Sequence, residues 1–189
     1  MLMKRALTIT LILGLATTLW ACSGGQQGGG DSASSDQQAS MTSIPTSSHP
    51  DTSSGFQPLF AQDFSNANLQ NPDSWGWENG VLTANDHSTI WTNESYGDFV
   101  LDFEFNLAEG VNSGIFLRTA DSTDILSAIE IQMLSNMGDD HSLGSIYDVK
   151  APTDTTVFNG PNTWNRMTVT ARDSMMYVVL NGTQVNRIN

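Results

Sequence analysis

The side chains with the clearest chemical potential lie in the middle of the chain, in the run AIEIQM. Glu130 and Gln132 alternate there with apolar residues, so the carboxylate and the amide share one face of a predicted strand. Such a pair on an open face can hydrogen-bond the hydroxyls of a sugar. An ordinary solvated outer face has the same pattern, and the spacing leaves both interpretations open.

Two further side chains in the same region could take part in catalysis. Arg118 ends the run NSGIFLR, and its fixed cation could hold a carbonyl or enolate oxygen. Tyr147, in the run GSIYDV, could donate a proton or form a stacking platform. The structural alternatives are an ion pair between Arg118 and Glu104 or Glu130, and a tyrosine at the edge of the core.

The loop SNMGDDHSLG brings His141 next to two aspartates. Histidine titrates near neutral pH, and the oxygens of Asp139 and Asp140 could help to bind a divalent cation. A solvated loop is the alternative, so we predict no definite metal site or cofactor. We predict that His141 and Lys150 contact the substrate.

A second pair of carboxylates lies on the longest apolar alternation, DFVLDFEFNL, where Asp102 and Glu104 share one face. Retaining glycosidases hold their two carboxyl groups about 5–5.5 Å apart, and lectin-like glucanases carry three acids at alternate positions. Position 106 is Asn, so the third acid is lacking. We therefore predict that Asp102 and Glu104 complete a sugar site, and rank an ordinary retaining glycosidase lower. Four tryptophans fit core or rim packing, and each could instead stack on a sugar: Trp75, Trp77, Trp91 and Trp164.

Short alternating runs and turns must position these residues. Asn79-Gly80 and Asn181-Gly182 are hairpin signals between apolar flanks. Residues 56–189 contain no helix-period run of useful length. The pattern predicts an all-β domain over 56–189, built as an antiparallel β-sandwich.

The N-terminus has the features of an exported lipoprotein. A basic start and an uncharged stretch lead to LWAC, which resembles a bacterial lipobox ending at Cys22, the only cysteine of the chain. We predict a signal peptide over 1–21, lipidation of Cys22, and a disordered Gly/Ser-rich tether over 22–55. The protein would then face the periplasm or the cell surface, and would contact the membrane only through its lipid.

The charge balance argues against nucleic acid as a partner. The chain has 20 acidic and 7 basic side chains and a formal net charge of −13. Such a surface repels phosphate backbones.

Several runs, taken together and in order, resemble the bacterial 3-keto-disaccharide hydrolase family. They cover nearly all of residues 56–189 and include WENGVLTA, YGDFVLDFEF, NSGIFLR, IEIQML, GSIYDVKAP and YVVLNGTQV. The resemblance implies a concanavalin A-like jelly roll. It also implies an enzyme that cleaves 3-keto-glycosides by removing the proton on C2, eliminating the group on C1 and hydrating the product.

This chemistry assigns roles to the candidate residues. Glu130 is the expected base, Arg118 the group that holds the enolate oxygen, and Tyr147 the proton donor, while Gln132 orients a hydroxyl. The resemblance also implies a functional partner, a sugar 3-dehydrogenase that makes the ketone.

Two departures from the family leave other functions open. Ser135 stands where members usually carry Asp, and members continue past the LNG hairpin into a final strand, which we expect to be missing here. A non-catalytic, lectin-like carbohydrate-binding lipoprotein and a plain interaction domain therefore remain as alternatives.

Overall fold

Antiparallel β-strands provide nearly all of the regular structure. The computed structural model describes residues 7–15, 46–53, 55–119 and 121–189. In these ranges the strands are β1 (Leu7–Leu15), β2 (Phe56–Pro58), β3 (Ala67–Leu69), β4 (Trp75–Glu78), β5 (Val81–Ala84), β6 (Ile90–Thr92), β7 (Phe99–Leu107), β8 (Asn112–Leu117), β9 (Ile129–Leu134), β10 (Trp164–Arg172), β11 (Met175–Leu180) and β12 (Thr183–Ile188). Short 3-10 turns occur at Pro72–Ser74 and Ile125–Ser127. No helix in the described residues is long and apolar enough to cross a bilayer.

The strands form one large sheet and two small ones. The large sheet has the order β12-β11-β10-β7-β1-β5-β4, with β2 also paired to β1, while β3 pairs with β6 and β8 with β9. Every one of these pairings is antiparallel. The prediction of an all-β antiparallel fold is confirmed.

The core lies between the large sheet and the β8–β9 sheet. The odd-numbered residues of β7 are all buried, with Phe103 and Phe105 at most 1% exposed. Ile131 and Met133 of β9 are fully buried and belong to the same apolar cluster. Burial of each such side chain stabilises the fold by about 1.5–3 kcal/mol. The alternation read from the sequence therefore gives the inward faces of β7 and β9 correctly.

The apolar run near the N-terminus occupies an internal position in the large sheet. Strand β1 pairs along its whole length with β7, where Leu11 lies opposite Phe103, and on its other side Leu7 to Ile9 pair with β5. The proposed lipidation site, Cys22, and most of the predicted tether lie outside the described residues. The signal peptide and the lipid anchor stay predictions.

The last part of the predicted tether lies against the outer face of the large sheet. His49 Nδ1 is 2.7 Å from Thr168 Oγ1, and the Gly182 amide donates to His49 Nε2 at 2.8 Å. Arg166 Nη2 donates to the Pro50 carbonyl at 3.1 Å. His49 and Pro50, which belong to the predicted tether and precede the predicted domain start at Phe56, therefore contact the sheet.

Candidate functional site

A cleft of about 1220 Å³ opens beside the small sheets, along β6, β8 and the start of β9. It is somewhat larger than the about 300–1,000 Å³ of ordinary small-molecule sites. Its lining combines aromatic, amide and charged side chains, among them Trp91, Phe116, Arg118 and Glu130. The cleft can therefore accept a polar ligand of more than one ring.

Glu130 is held in this cleft by the pairing of β8 with β9. The register sets Phe116 opposite Glu130 and Gly114 opposite Gln132. The Glu130 side chain lies over Gly114, where a Cβ atom would stand only 2.0 Å from Glu130 Oε1. A glycine at this position is thus what lets the carboxylate lie down on the neighbouring strand.

The electrostatic state of Glu130 suits a base. Its side chain is half-buried, and burial raises its pKa because a carboxylate loses hydration there. Within the described residues no hydrogen bond or ion pair engages the carboxylate. The carboxylate is therefore free to accept a proton, and is more basic than an exposed glutamate.

Arg118 stands at the end of β8 and lines the same cleft. Its backbone has a φ of 56°, in the left-handed region, which costs a non-glycine residue about 1–2 kcal/mol. In the described part of the chain no carboxylate forms an ion pair with it. The pairing with Glu104 or Glu130 that the sequence left open is not formed, so the guanidinium is available to a ligand.

Tyr147 follows β9 on the side away from β8. Its amide donates to the Glu130 carbonyl at 3.0 Å, and Ile146 forms an antiparallel bridge with Ile131. In this register Tyr147 is directly across from Glu130 on the same face. It is 40% exposed and does not line the cleft, so it lies next to Glu130 but outside the cleft itself.

His141 packs beside Tyr147, with their ring centroids 4.6 Å apart. Its Nε2 is 2.9 Å from Asp148 Oδ1, and its Nδ1 is 3.8 Å from Asp140 Oδ1. The hydrogen bond with Asp148 raises the pKa of His141, with a smaller contribution from the charge of Asp140. Both ring nitrogens therefore face carboxylates. Within the described residues no group of three or more His, Cys, Asp or Glu side chains could hold a metal ion.

Two of the predicted substrate contacts, Gln132 and Lys150, do not reach the open cleft. Gln132 is 2% exposed, and its Oε1 accepts a hydrogen bond from the Met133 amide. Lys150 donates from Nζ to the Arg187 carbonyl of β12 at 2.8 Å. Neither lines the cleft that holds Glu130, and His141, the third of these predicted contacts, does not line it either.

Asp102 and Glu104 lie on the opposite side of the large sheet. The odd residues of β7 point into the core, so these even positions point outward. Asp102 is 3% exposed, and Arg166 donates to it from Nε at 3.1 Å and from Nη2 at 2.9 Å. Thr168 also donates to it, and Glu104 is exposed. These two carboxylates therefore do not complete the cleft, and the geometry offers no retaining-glycosidase pair there.

Comparison with known proteins identifies the relatives of this chain. Residues 55–189 match the family model of the 3-keto-alpha-glucoside-1,2-lyase-like domain. The chain belongs to this family. A crystal structure of a candidate glycosyl hydrolase from Parabacteroides distasonis ATCC 8503 is 31% identical, with a TM-score of 0.66 over 70% of this chain and 71% of that chain. A second one from the same organism, 19% identical with a TM-score of 0.60 over 70% of this chain and 71% of that one, shares the fold.

No curated protein gives a significant match to the sequence. Membership of the 3-keto-alpha-glucoside-1,2-lyase-like family nevertheless confirms the resemblance drawn from the motifs, and supports a carbohydrate-active, hydrolase-like function.

Two residues of the cleft, Gly114 and Phe116, were not predicted from the sequence as site residues. A third, Trp91, was named only as one of four tryptophans that could stack on a sugar. Gly114 carried no visible signal, because its importance arises only from the Glu130 side chain on the next strand. Phe116 and Trp91 line the cleft as a ring pair with centroids 6.1 Å apart. The alternation of NSGIFLR did place Phe116 on the same face as Arg118, which was the available hint.

Proposed function

We propose that the domain cleaves 3-keto-glycosides, with Glu130 as the base that removes the proton on C2. One observation carries the proposal: the half-buried carboxylate of Glu130, with its raised pKa, shares a cleft with the cation of Arg118, and neither has an ion-pair partner in the described part of the chain. A base and a cation are the two groups that an elimination next to a ketone requires. The family of the chain supports the same class of substrate.

In the first step the Glu130 carboxylate takes the C2 proton of the keto sugar. The electron pair of the C2–H bond moves toward the ketone and leaves negative charge on the C3 oxygen. The Arg118 guanidinium holds this enolate oxygen through fixed N–H donors and lowers the barrier in the partly water-excluded cleft.

In the second step the enolate collapses and re-forms the C3 ketone. A double bond forms between C1 and C2, and the bond from C1 to the glycosidic oxygen breaks. The departing oxygen takes a proton, for which we propose the phenol of Tyr147. Addition of water, with hydroxyl to C1 and hydrogen to C2, then gives the free keto sugar, so the net reaction is hydrolysis.

We further propose that the reaction takes place in the cell envelope. The support is the sequence of the first 22 residues, with its lipobox-like ending at Cys22. The substrate is already oxidised at C3, so an oxidoreductase acting on sugars must supply it.

The test is an assay of the full-length protein with 3-keto-trehalose, following released sugar and the unsaturated product. Glu130→Gln should lower kcat about 10²–10⁴-fold, the usual contribution of a general base. Glu104→Gln is the matched control, because its side chain lies on the far face of the sheet and should leave kcat unchanged. Binding of the sugar without turnover by the wild type would overturn the enzymatic proposal in favour of a lectin.

A further inference from the structure

We propose that Phe116 and Trp91 form a continuous aromatic surface that binds a two-ring substrate, with Trp91 as the subsite for the leaving sugar. This inference rests on the proposed function, because that function defines which ring leaves. It assigns a specificity-determining role to two residues that take no part in the proton transfers.

Phe116 lies between the two charged groups of the site. Along β8, Gly114 carries the Glu130 carboxylate above it, Phe116 follows on the same face, and Arg118 comes after that. Phe116 is paired with Glu130 across the two strands, and Arg118 follows directly after β8 in the same cleft. We therefore place the keto ring over Phe116, with its C2 proton toward Glu130 and its C3 oxygen toward Arg118. The apolar C–H face of a sugar suits that contact.

Trp91 continues the surface away from the charged groups. Its ring is inclined by 31° to that of Phe116, at a centroid distance of 6.1 Å, and both rings line the same cleft. The indole is held in place because its Nε1 donates to Thr89 Oγ1 at 3.1 Å, and Thr89 in turn donates to Gln70 Oε1 at 3.2 Å. With its polar atom engaged, the ring presents an apolar face of fixed orientation.

The polar groups around Trp91 match the hydroxyl edge of a sugar. The cleft is lined by neutral amides that can both donate and accept hydrogen bonds, and one of them, Asn68, is paired with Trp91 across β3 and β6. Two carboxylates, Asp86 and Glu94, also line the cleft. An anionic second group is therefore disfavoured there, and an uncharged sugar ring fits.

The first experiment measures binding alone, by calorimetry of the full-length protein with trehalose and with methyl α-glucoside. The wild type should bind the disaccharide at least 10-fold more tightly. Trp91→Ala should remove most of that difference and change the affinity for methyl α-glucoside less than 2-fold. Trp164→Ala is the matched control, since Trp164 is 43% exposed and does not line the cleft.

The second experiment measures turnover of 3-keto-trehalose and of methyl 3-keto-α-glucoside. Trp91→Ala should raise KM for the disaccharide about 10-fold with little change in kcat, and Trp91→Phe should restore part of the loss. A far-ultraviolet spectrum and a melting curve of each variant show that it is folded. Equal effects on one-ring and two-ring ligands, or no effect on either, overturn the subsite. A difference in binding in a protein without turnover retains the subsite and removes the proposed reaction.

Discussion

Because residue 114 is a glycine, the Glu130 carboxylate can lie against strand β8. Gly114→Ala would put a methyl group 2.0 Å from Glu130 Oε1, so the Glu130 side chain must swing away. The clashing atoms, Oε1, Cδ and Cγ, all belong to the Glu130 side chain and none to the backbone. We therefore expect kcat/KM to fall at least 10-fold while the melting temperature changes little. Enzyme kinetics and a thermal melt of the same preparation check this. Full activity in the alanine variant would contradict the proposed position of the base.

The raised pKa of Glu130 predicts the acid limb of the pH profile. The base works as a carboxylate, so kcat/KM should rise with pH through the pKa of Glu130, which burial places above the ordinary 4.5. A profile of kcat/KM from pH 4 to 8 measures it. The Glu130→Asp variant keeps a carboxylate base, so its kcat/KM should still rise with pH. A wild-type kcat/KM that does not rise with pH above pH 4.5 would contradict the role of Glu130 as the base.

The raised pKa of Glu130, which makes it a better base, lowers the stability of the folded protein at neutral pH. A carboxyl group whose pKa is raised in the folded state stabilises it only while protonated, and this contribution is lost as the pH rises through the folded pKa. Glu130→Gln should therefore be slightly more stable than the wild type at pH 7 and show no such gain near pH 4. Urea unfolding at the two pH values measures the difference. Proteins commonly give up stability at their functional sites in this way.

At the scale of single elements, the outer face of the large sheet is held by an ionic network. Asp102 is buried and receives hydrogen bonds from Arg166 and Thr168. Removal of one partner of a fully buried pair typically costs about 3–5 kcal/mol, and the 32% exposure of the Arg166 side chain puts this pair at or below the lower end of that range. Asp102→Ala should therefore lower the unfolding free energy by about 2–3 kcal/mol without changing KM. A changed KM with unchanged stability would return Asp102 to the substrate site.

Residues 46–53 are attached to this network through His49, and this attachment depends on pH. Burial lowers its pKa, with the Arg166 charge acting in the same direction and Asp102 against it. A histidine with a lowered pKa contributes stability that is present above its unfolded pKa, about 6.5, and is lost as the pH falls through the folded pKa. The wild type should thus lose more stability than His49→Gln between pH 7 and pH 5, as urea titrations would show. Parallel losses in both proteins would contradict this.

The alternation in the sequence was sufficient for the faces of individual strands but not for their assembly. It placed Ile131 and Met133 inside and Glu130 with Gln132 opposite to them. It could not tell on which side of the sandwich the even residues of β7 would lie. A two-residue period separates the two faces of a strand but does not show which face borders the cleft. That is why Asp102 and Glu104 were grouped with a cleft that lies across the core from them.

Other parts of the site depend on contacts that a sequence does not display. Ser135 stands where family members usually carry Asp, and this departure left a sugar-binding function open. Its hydroxyl accepts a hydrogen bond from the Gly110 amide at 2.8 Å, and it does not line the cleft. It follows β9 at the end remote from Glu130. Its distance from the proposed base reduces the weight that the substitution lent to a purely sugar-binding function.

At the scale of the whole molecule, strand β1 makes residues 7–15 part of the large sheet. A chain that begins at Cys22 lacks β1, and its loss leaves β5 and β7 with unpaired backbone groups. Open strand edges favour association with other chains. We expect the 22–189 form to melt at a lower temperature than the full chain and to self-associate with rising concentration, as melting curves and sedimentation would measure. A monomer of unchanged stability would show that β1 is dispensable.

Residues 7–15 belong both to the proposed signal peptide and to strand β1, so export and folding compete for the same residues. The signal peptide that we propose for residues 1–21 would act while it is accessible to the export machinery, whereas in the folded chain residues 7–15 are paired with β7 and β5. Residue Leu11 reaches its partner Phe103 only after a long intervening segment has been synthesised, and such distant pairings form slowly. Because β7 is synthesised later, the proposed signal peptide would be accessible for export before this pairing forms. On this proposal, a mutation that accelerated the pairing would reduce export even though the cleft and its chemistry were intact.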